Sequence, residues 1–194
     1  CSMNIDTTTR SMTVRDVTAA WTNRTISCNA EYQRGAAWSQ RQQQLLVDSV
    51  LRGYPLPLFY FQTVTQTDAF GSTFSTLDVI DGQQRIRALT SYLNGDWALM
   101  KITDERVALP ASVKATPVSW SGRFFTDLPD DDQQRLLDTA LPVVLLVDAS
   151  TDEVRDVFIR LQAGTSLTAQ QKRDAWPGHV GPFIETLAGK LGRQ

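Results

Sequence analysis

The sequence is short of the side chains that build metal centres and nucleophilic triads: it holds one histidine and two cysteines in 194 residues. A structural zinc site of four Cys or His ligands is thereby excluded, an HNH-type nuclease centre cannot be assembled, and any Ser-His or Cys-His chemistry rests on His179 alone. His179 itself sits in a turn-like Trp-Pro-Gly-His stretch that suits a surface or packing role. Two thiols make no disulfide framework, and Cys28 lies in an apolar stretch fit for a buried, inert thiol. No apolar run approaches the roughly 20 residues that span a bilayer, and the first residues lack the charged-then-apolar pattern of a secretory leader. A cytoplasmic protein with no membrane contact is expected. An excess of positive charge is missing too, since 19 Lys plus Arg stand against 21 Asp plus Glu for a net charge of -2. Whole-chain attraction to phosphate is therefore not supplied, and any nucleic-acid site must be local.

What is present is enough apolar material, 42% of the residues, to fill the core of one ordinary domain. The basic side chains are biased: 15 of the 19 are Arg, whose planar fork grips carboxylate or phosphate in a bidentate manner. Cys1 and Ser2 precede Met3, which reads as a natural start, and Gly189 to Gln194 closes without a clear terminal element, so a further C-terminal domain is expected.

Four stretches pair an oxygen-bearing residue with Gln or Glu three positions on, the pattern by which a helix start satisfies its first amides. They are Ser39 with Gln42, Asp81 with Gln84, Ser150 with Glu153, and Thr168 with Gln171. Apolar residues at helical spacing follow the first three, and a helix around Val14 to Trp21 is also predicted, with Asp130 to Asp132 as the polar start of another. Strands are predicted over Thr25–Asn29, Leu58–Val64, Phe74–Ile80 and Pro142–Asp148, rich in β-branched and aromatic residues. The second and third should form a hairpin through Gln66 to Ser72. Residues 97–128 are weakly patterned, with short strands conceivable at Trp97–Lys101 and near Phe124. Elements mixed in this order indicate an α+β domain.

The sharpest feature is Val79-Ile80-Asp81-Gly82-Gln83-Gln84-Arg85-Ile86-Arg87, a strand turning through a glycine straight into a helix. Such a junction aims unpaired backbone N–H groups and the positive end of the helix dipole at one point, which favours an anion. Gly82 would let a phosphate approach, Arg85 could reach back to it, and Asp81 is an oxygen ligand suited to Mg²⁺. The plainer reading is a well-capped helix, with Asp81 capping, Gln84 closing the box, and Arg85 and Arg87 solvated. A second feature, Glu31-Tyr32-Gln33-Arg34-Gly35-Ala36-Ala37-Trp38, packs stacking surface, an amide and a guanidinium into one irregular stretch of the kind that binds ligands. The plainer reading of this stretch has Trp38 as a hydrophobic staple ahead of the Ser39 cap and Tyr32 half-buried. In the third, Phe158 to Arg173, Gly164 is a natural helix stop and Thr168 a natural restart, which leaves Arg160, Lys172 and Arg173 as residues beyond structural need.

In this order the three stretches resemble the N-terminal domain of the GmrSD family of modification-dependent restriction proteins, whose DGQQR signature stands unchanged at Asp81 to Arg85. The resemblance takes in Tyr32-Gln33-Arg34, Trp38, the helix leading to Ser49-Val50-Leu51-Arg52-Gly53, and the block from Phe158 to Ala175. It spans roughly residues 13–178. It implies a core similar to the ParB and sulfiredoxin-like superfamily, in which Gly82 to Ala88 would handle nucleotide phosphates. It further implies a nucleoside triphosphatase acting on GTP or ATP with Mg²⁺ at Asp81, catalytic Asp81, Gln83, Gln84 and Arg85, and nucleotide contacts from Arg34, Gly82, Arg87, Arg160, Lys172 and Arg173. The partner implied is modified double-stranded DNA, met by Tyr32, Gln33, Arg34, Gly35 and Trp38. These residues are most similar to those of phosphorothioate-sensing members, and an aromatic pocket would prefer sulfur over the better-hydrated oxygen by about 1–3 kcal/mol. On this basis residues 1–12 are an N-terminal extension, 13–178 the nucleotide-binding domain, and 179–194 a helical segment leading towards a nuclease domain. A homo-oligomer is compatible with this picture. The chain departs from the family pattern at Gln162, commonly Asn, and at Gln171, commonly Glu after Leu-Thr. A module that binds nucleotide and DNA with little hydrolysis, as a ParB-like clamp does, or a protein-interaction domain, is the alternative.

Overall fold

The computed structural model describes residues 5–28 and 37–174, with side chains through residue 163. It is an α+β fold in two compact units, Cys1–Ser150 and Thr151–Gln194. The first holds a five-stranded mixed sheet in the order β1-β5-β3-β4-β2. These strands are β1 (Asp6–Thr13), β2 (Ile26–Ser27), β3 (Phe59–Thr67), β4 (Thr73–Asp81) and β5 (Ala140–Val147). The hairpin β3–β4 is antiparallel, β5 runs parallel to β3, and the short β2 runs parallel to β4 at Leu77 and Asp78.

Helices α1 (Val14–Thr22), α2 (Gln40–Leu51) and α3 (Gln83–Leu93) cluster together, α3 touching both of the others. The buried stripe of α3, Ile86, Leu89 and Tyr92, meets the common core with Val47 and Val50 of α2 and Val17 of α1. On the sheet side the core takes Phe59 and Phe61 from β3, Val79 from β4 and the alternating Leu141, Val143 and Leu145 from β5. Each such side chain removed from water contributes about 1.5–3 kcal/mol, so the junction of β4 and α3 is held from both sides.

The predicted hairpin is present, with strands that reach Thr67 and Thr73 and so leave a shorter loop, closed by the Asp68 carboxylate accepting from the amides of Phe70 and Ser72. The predicted first strand shrinks to Ile26–Ser27 among the described residues. Residues set apart as an N-terminal extension supply β1, an edge strand paired along its whole length with β5. Its run of threonines is exposed on both faces over most of its length, so it carries none of the alternation that marks a half-buried strand. The weakly patterned middle forms no strand. There, α4 (Ala111–Ala115) and a 3-10 turn at Phe125–Asp127 precede α5 (Asp130–Asp138), which opens on the acidic triplet. Trp97–Lys101 does lie alongside residues 120–124, but through only two backbone bonds, Leu99 N–H to Arg123 and Gly122 N–H to Met100.

This middle region is tied to α2 by buried polar groups. The Trp120 indole and the Arg52 Nε both donate to the Asp48 carboxylate, at 2.8 and 2.7 Å. Ser119 donates to the equally buried Asp132 of α5. Paired carboxylates of this kind are tolerated in a core because each oxygen has a donor.

The second unit, described by itself, is α6 (Thr151–Asp174), continuous over 24 residues. The predicted stop at Gly164 and restart at Thr168 are therefore corrected. A glycine inside a helix costs only about 1 kcal/mol relative to alanine, less than two new helix ends demand. Among the described residues no helix is long and apolar enough to cross a membrane.

Candidate functional site

The end of β4 is shaped by a bulge. Tyr60 pairs with Asp81 but Phe61 pairs with Val79, so Ile80 is an extra residue on β4, and bulges of this kind re-aim the strand they interrupt. The chain then turns through Gly82 at φ 108 and ψ 1, in the left-handed region. A Cβ here would lie 2.5 Å from Cδ1 of Phe59. Only glycine satisfies both demands. Gly82 is the N-cap of α3, its carbonyl accepting from Ile86, and among the described residues no side chain caps the helix. The first-turn amides of Gln83, Gln84 and Arg85 thus keep the intrinsic donor capacity of a helix start, with the positive end of the dipole behind them.

The capping box expected from Asp81 and Gln84 does not form. Asp81 is still strand, and its Oδ2 is held at 2.7 Å by Arg85, one turn ahead. Gln84 instead reaches away from the helix, its Oε1 accepting at 3.4 Å from the backbone N–H of Trp38. Gln83 is partly exposed, yet its amide nitrogen is buried and has no partner among the described residues. The expectation of solvated Arg85 is also overturned. Its residue is 7% exposed, and the guanidinium donates to the carbonyls of Pro57 and Leu58 as well as to Asp81. It lies 4.2 Å from the centre of the Phe59 ring, a cation–π contact strengthened by desolvation. Burial pulls its pKa below the ordinary arginine value while Asp81 opposes that shift, and a guanidinium remains charged in either case. Arg87 is exposed, as expected.

The other predicted residues are distributed as follows. Trp38 is half-buried and packs against the core, immediately before the Ser39 capping box, which is fully formed. That supports the staple reading of Trp38, while its bond to Gln84 joins the stretch to the DGQQR turn. Tyr32, Gln33, Arg34 and Gly35 lie outside the described residues, as does His179. Arg160 sits on α6 in the second unit, paired with Asp156 at 2.9 Å. Lys172 and Arg173 belong to the same helix, with side chains outside the described part. Sequence reasoning missed Phe59 and the Pro57 and Leu58 carbonyls, which lie more than twenty positions from the motif and are joined to it only by the hairpin.

As for a metal, the described residues contain no group of three His, Cys, Asp or Glu. Asp81 is a lone carboxylate with one oxygen on Arg85 and a side chain about one-third exposed. That donor set fits Mg²⁺ arriving with phosphates, which takes one or two carboxylates, and does not fit an all-protein metal cage.

The site is thus an uncapped helix start behind a glycine turn, with one carboxylate at its mouth, on a mixed sheet. The sequence model of the GmrSD restriction endonuclease N-terminal domain matches residues 20–176. The chain belongs to this family and is a domain of a restriction system. No curated protein matches it.

Proposed function

We propose that the domain binds and hydrolyses a nucleoside triphosphate at the Asp81–Arg85 turn, and that it couples this event to sensing modified DNA for a nuclease domain of the same restriction protein. The observation that carries the reading is the α3 start: three first-turn amides follow a glycine turn that carries no capping side chain of its own and is packed too closely against Phe59 to admit a Cβ. Backbone donors so arranged suit phosphate oxygens and need no reorganisation when charge builds up on them. Gln83, whose amide nitrogen has no partner among the described residues, is the better of the two glutamines to orient water, since Gln84 is engaged with Trp38. Asp81 would hold Mg²⁺ carried by the phosphates, which neutralises their charge during transfer. The described flanks of the Tyr32–Gly35 stretch both meet this region: Ser27 donates to Asp78 on β4, and Trp38 donates to Gln84. A DNA-sensing role for Tyr32, Gln33, Arg34 and Gly35 is supported by that anchorage and by the family, and phosphorothioate as the modification rests on the resemblance of these residues to those of phosphorothioate-sensing members.

The internal engagement of Arg85 favours a second reading, a ParB-like nucleotide-gated DNA-binding module with little hydrolysis, because the expected transition-state cation is committed to the protein. Nucleotide turnover with phosphorothioate-containing, glucosylated and plain duplexes decides between them. Turnover of GTP or ATP, raised by the phosphorothioate duplex and lost in Asp81→Asn, is the expected result. Nucleotide binding without turnover selects the gated module, and no nucleotide affinity at all removes both.

A further inference from the structure

Arg85 is the residue of the motif that a reader of the sequence would place on the phosphates, and the geometry points elsewhere. Its three hydrogen bonds end on the Pro57 and Leu58 carbonyls and on the Asp81 carboxylate. Its face lies on Phe59, the same ring that a Cβ at Gly82 would strike. Turning the guanidinium to a ligand would break these three hydrogen bonds at once and lift the charge off the Phe59 ring. Arg85 is itself buried, and a buried charge that gives up its partners is costly. Arg87 is placed differently. It is exposed, with no hydrogen bond or ion pair among the described residues. Helical side chains lean towards the N-terminus, so its reach is back over the turn that holds Gln83.

We propose that Arg85 is a positioning residue, one that orients the Asp81 carboxylate and locks the Gly82 turn against Phe59, and that Arg87 is the cation that meets the bound anion. The inference rests on the triphosphate reading of the site. It makes Arg85 act on a ligand only through Asp81 and the turn, so its contribution must depend on Asp81 and on the metal.

The test titrates inorganic tripolyphosphate, without and with Mg²⁺, into the wild-type chain and the variants Arg85→Lys, Asp81→Asn, their double, and Arg87→Gln, at a temperature where circular dichroism shows each folded. Arg85→Lys is expected to lower the melting temperature, to remove most of the Mg²⁺-dependent tightening, and to leave metal-free affinity within about twofold. In the Asp81→Asn background it should add nothing, the signature of two residues acting as one unit. Arg87→Gln should leave the melting temperature unchanged and weaken metal-free binding by about tenfold, as loss of a direct charge-assisted contact does. The proposal is overturned if Arg85→Lys weakens metal-free binding as much as Arg87→Gln does, or if its loss adds in full to that of Asp81→Asn. If wild type binds no tripolyphosphate, the triphosphate reading fails by itself, and the melting temperatures of the same cycle decide on Arg85. Non-additive losses then support its coupling to Asp81, and additive losses contradict it.

Discussion

Gly82 illustrates how one residue type can be demanded twice. Its φ of 108 already penalises any side chain, and the Phe59 ring occupies the space where a Cβ would go. Gly82→Ala is therefore expected to destabilise the domain by about 1–3 kcal/mol through backbone strain, with more from the clash. Adding Phe59→Leu should recover the clash part and leave the strain, which chemical denaturation of the single and double variants would separate. The same neighbourhood changes how Arg85 can be tested. Arg85 is buried with three hydrogen bonds and the Phe59 ring to lose, so Arg85→Ala is expected to cost about 1–3 kcal/mol and measures the fold before it measures any chemistry. The glycine and the carboxylate were legible in the sequence as DGQQR, because a strand, a glycine and a helical pattern are local signals. The destination of Arg85 was not, because Pro57, Leu58 and Phe59 are brought to it by tertiary structure.

Among the elements, capping chemistry marks α2 correctly but misleads at the DGQQR helix and at Gly164 and Thr168, and elements without local chemistry go unread. The α2 start is written in Ser39 and Gln42, and both halves of the box are present, the Ser39 side chain with the Gln42 amide and the Gln42 side chain with the Ser39 amide. Ser39→Ala is expected to lose about 1 kcal/mol, read as a lowered urea midpoint with unchanged slope. At the DGQQR helix the same pattern misleads: Asp81 is drawn to a buried guanidinium, so Gly82 takes the cap position and the helix start stays open. Edge strand β1 was illegible because Thr7, Thr8 and Thr9 show no period of two. Its pairing with β5, from Asp6 with Val147 to Thr13 with Ala140, is a long-range fact that no local window contains. Residues 97–128 were obscure for a related reason. Their order comes from Trp120 and Ser119 reaching the buried carboxylates of Asp48 and Asp132.

At the scale of the whole molecule, a chain with net charge -2 has no broad field to collect anions, so any affinity for phosphate must come from oriented donors at one place. The β4–α3 junction is the place where sheet, bulge, glycine and helix converge on that geometry. Membership of the GmrSD N-terminal family sets the restriction context, and the uncapped helix start is the physical ground on which a triphosphate is proposed as ligand. The most direct measurement is a backbone amide NMR titration of the domain with magnesium nucleoside triphosphate. Large, saturable shifts are expected at the amides of Gly82, Gln83, Gln84 and Arg85, with the sheet beyond Val79 little changed. Saturable shifts elsewhere with these four amides still, or none anywhere in a folded sample, would contradict the proposed triphosphate site.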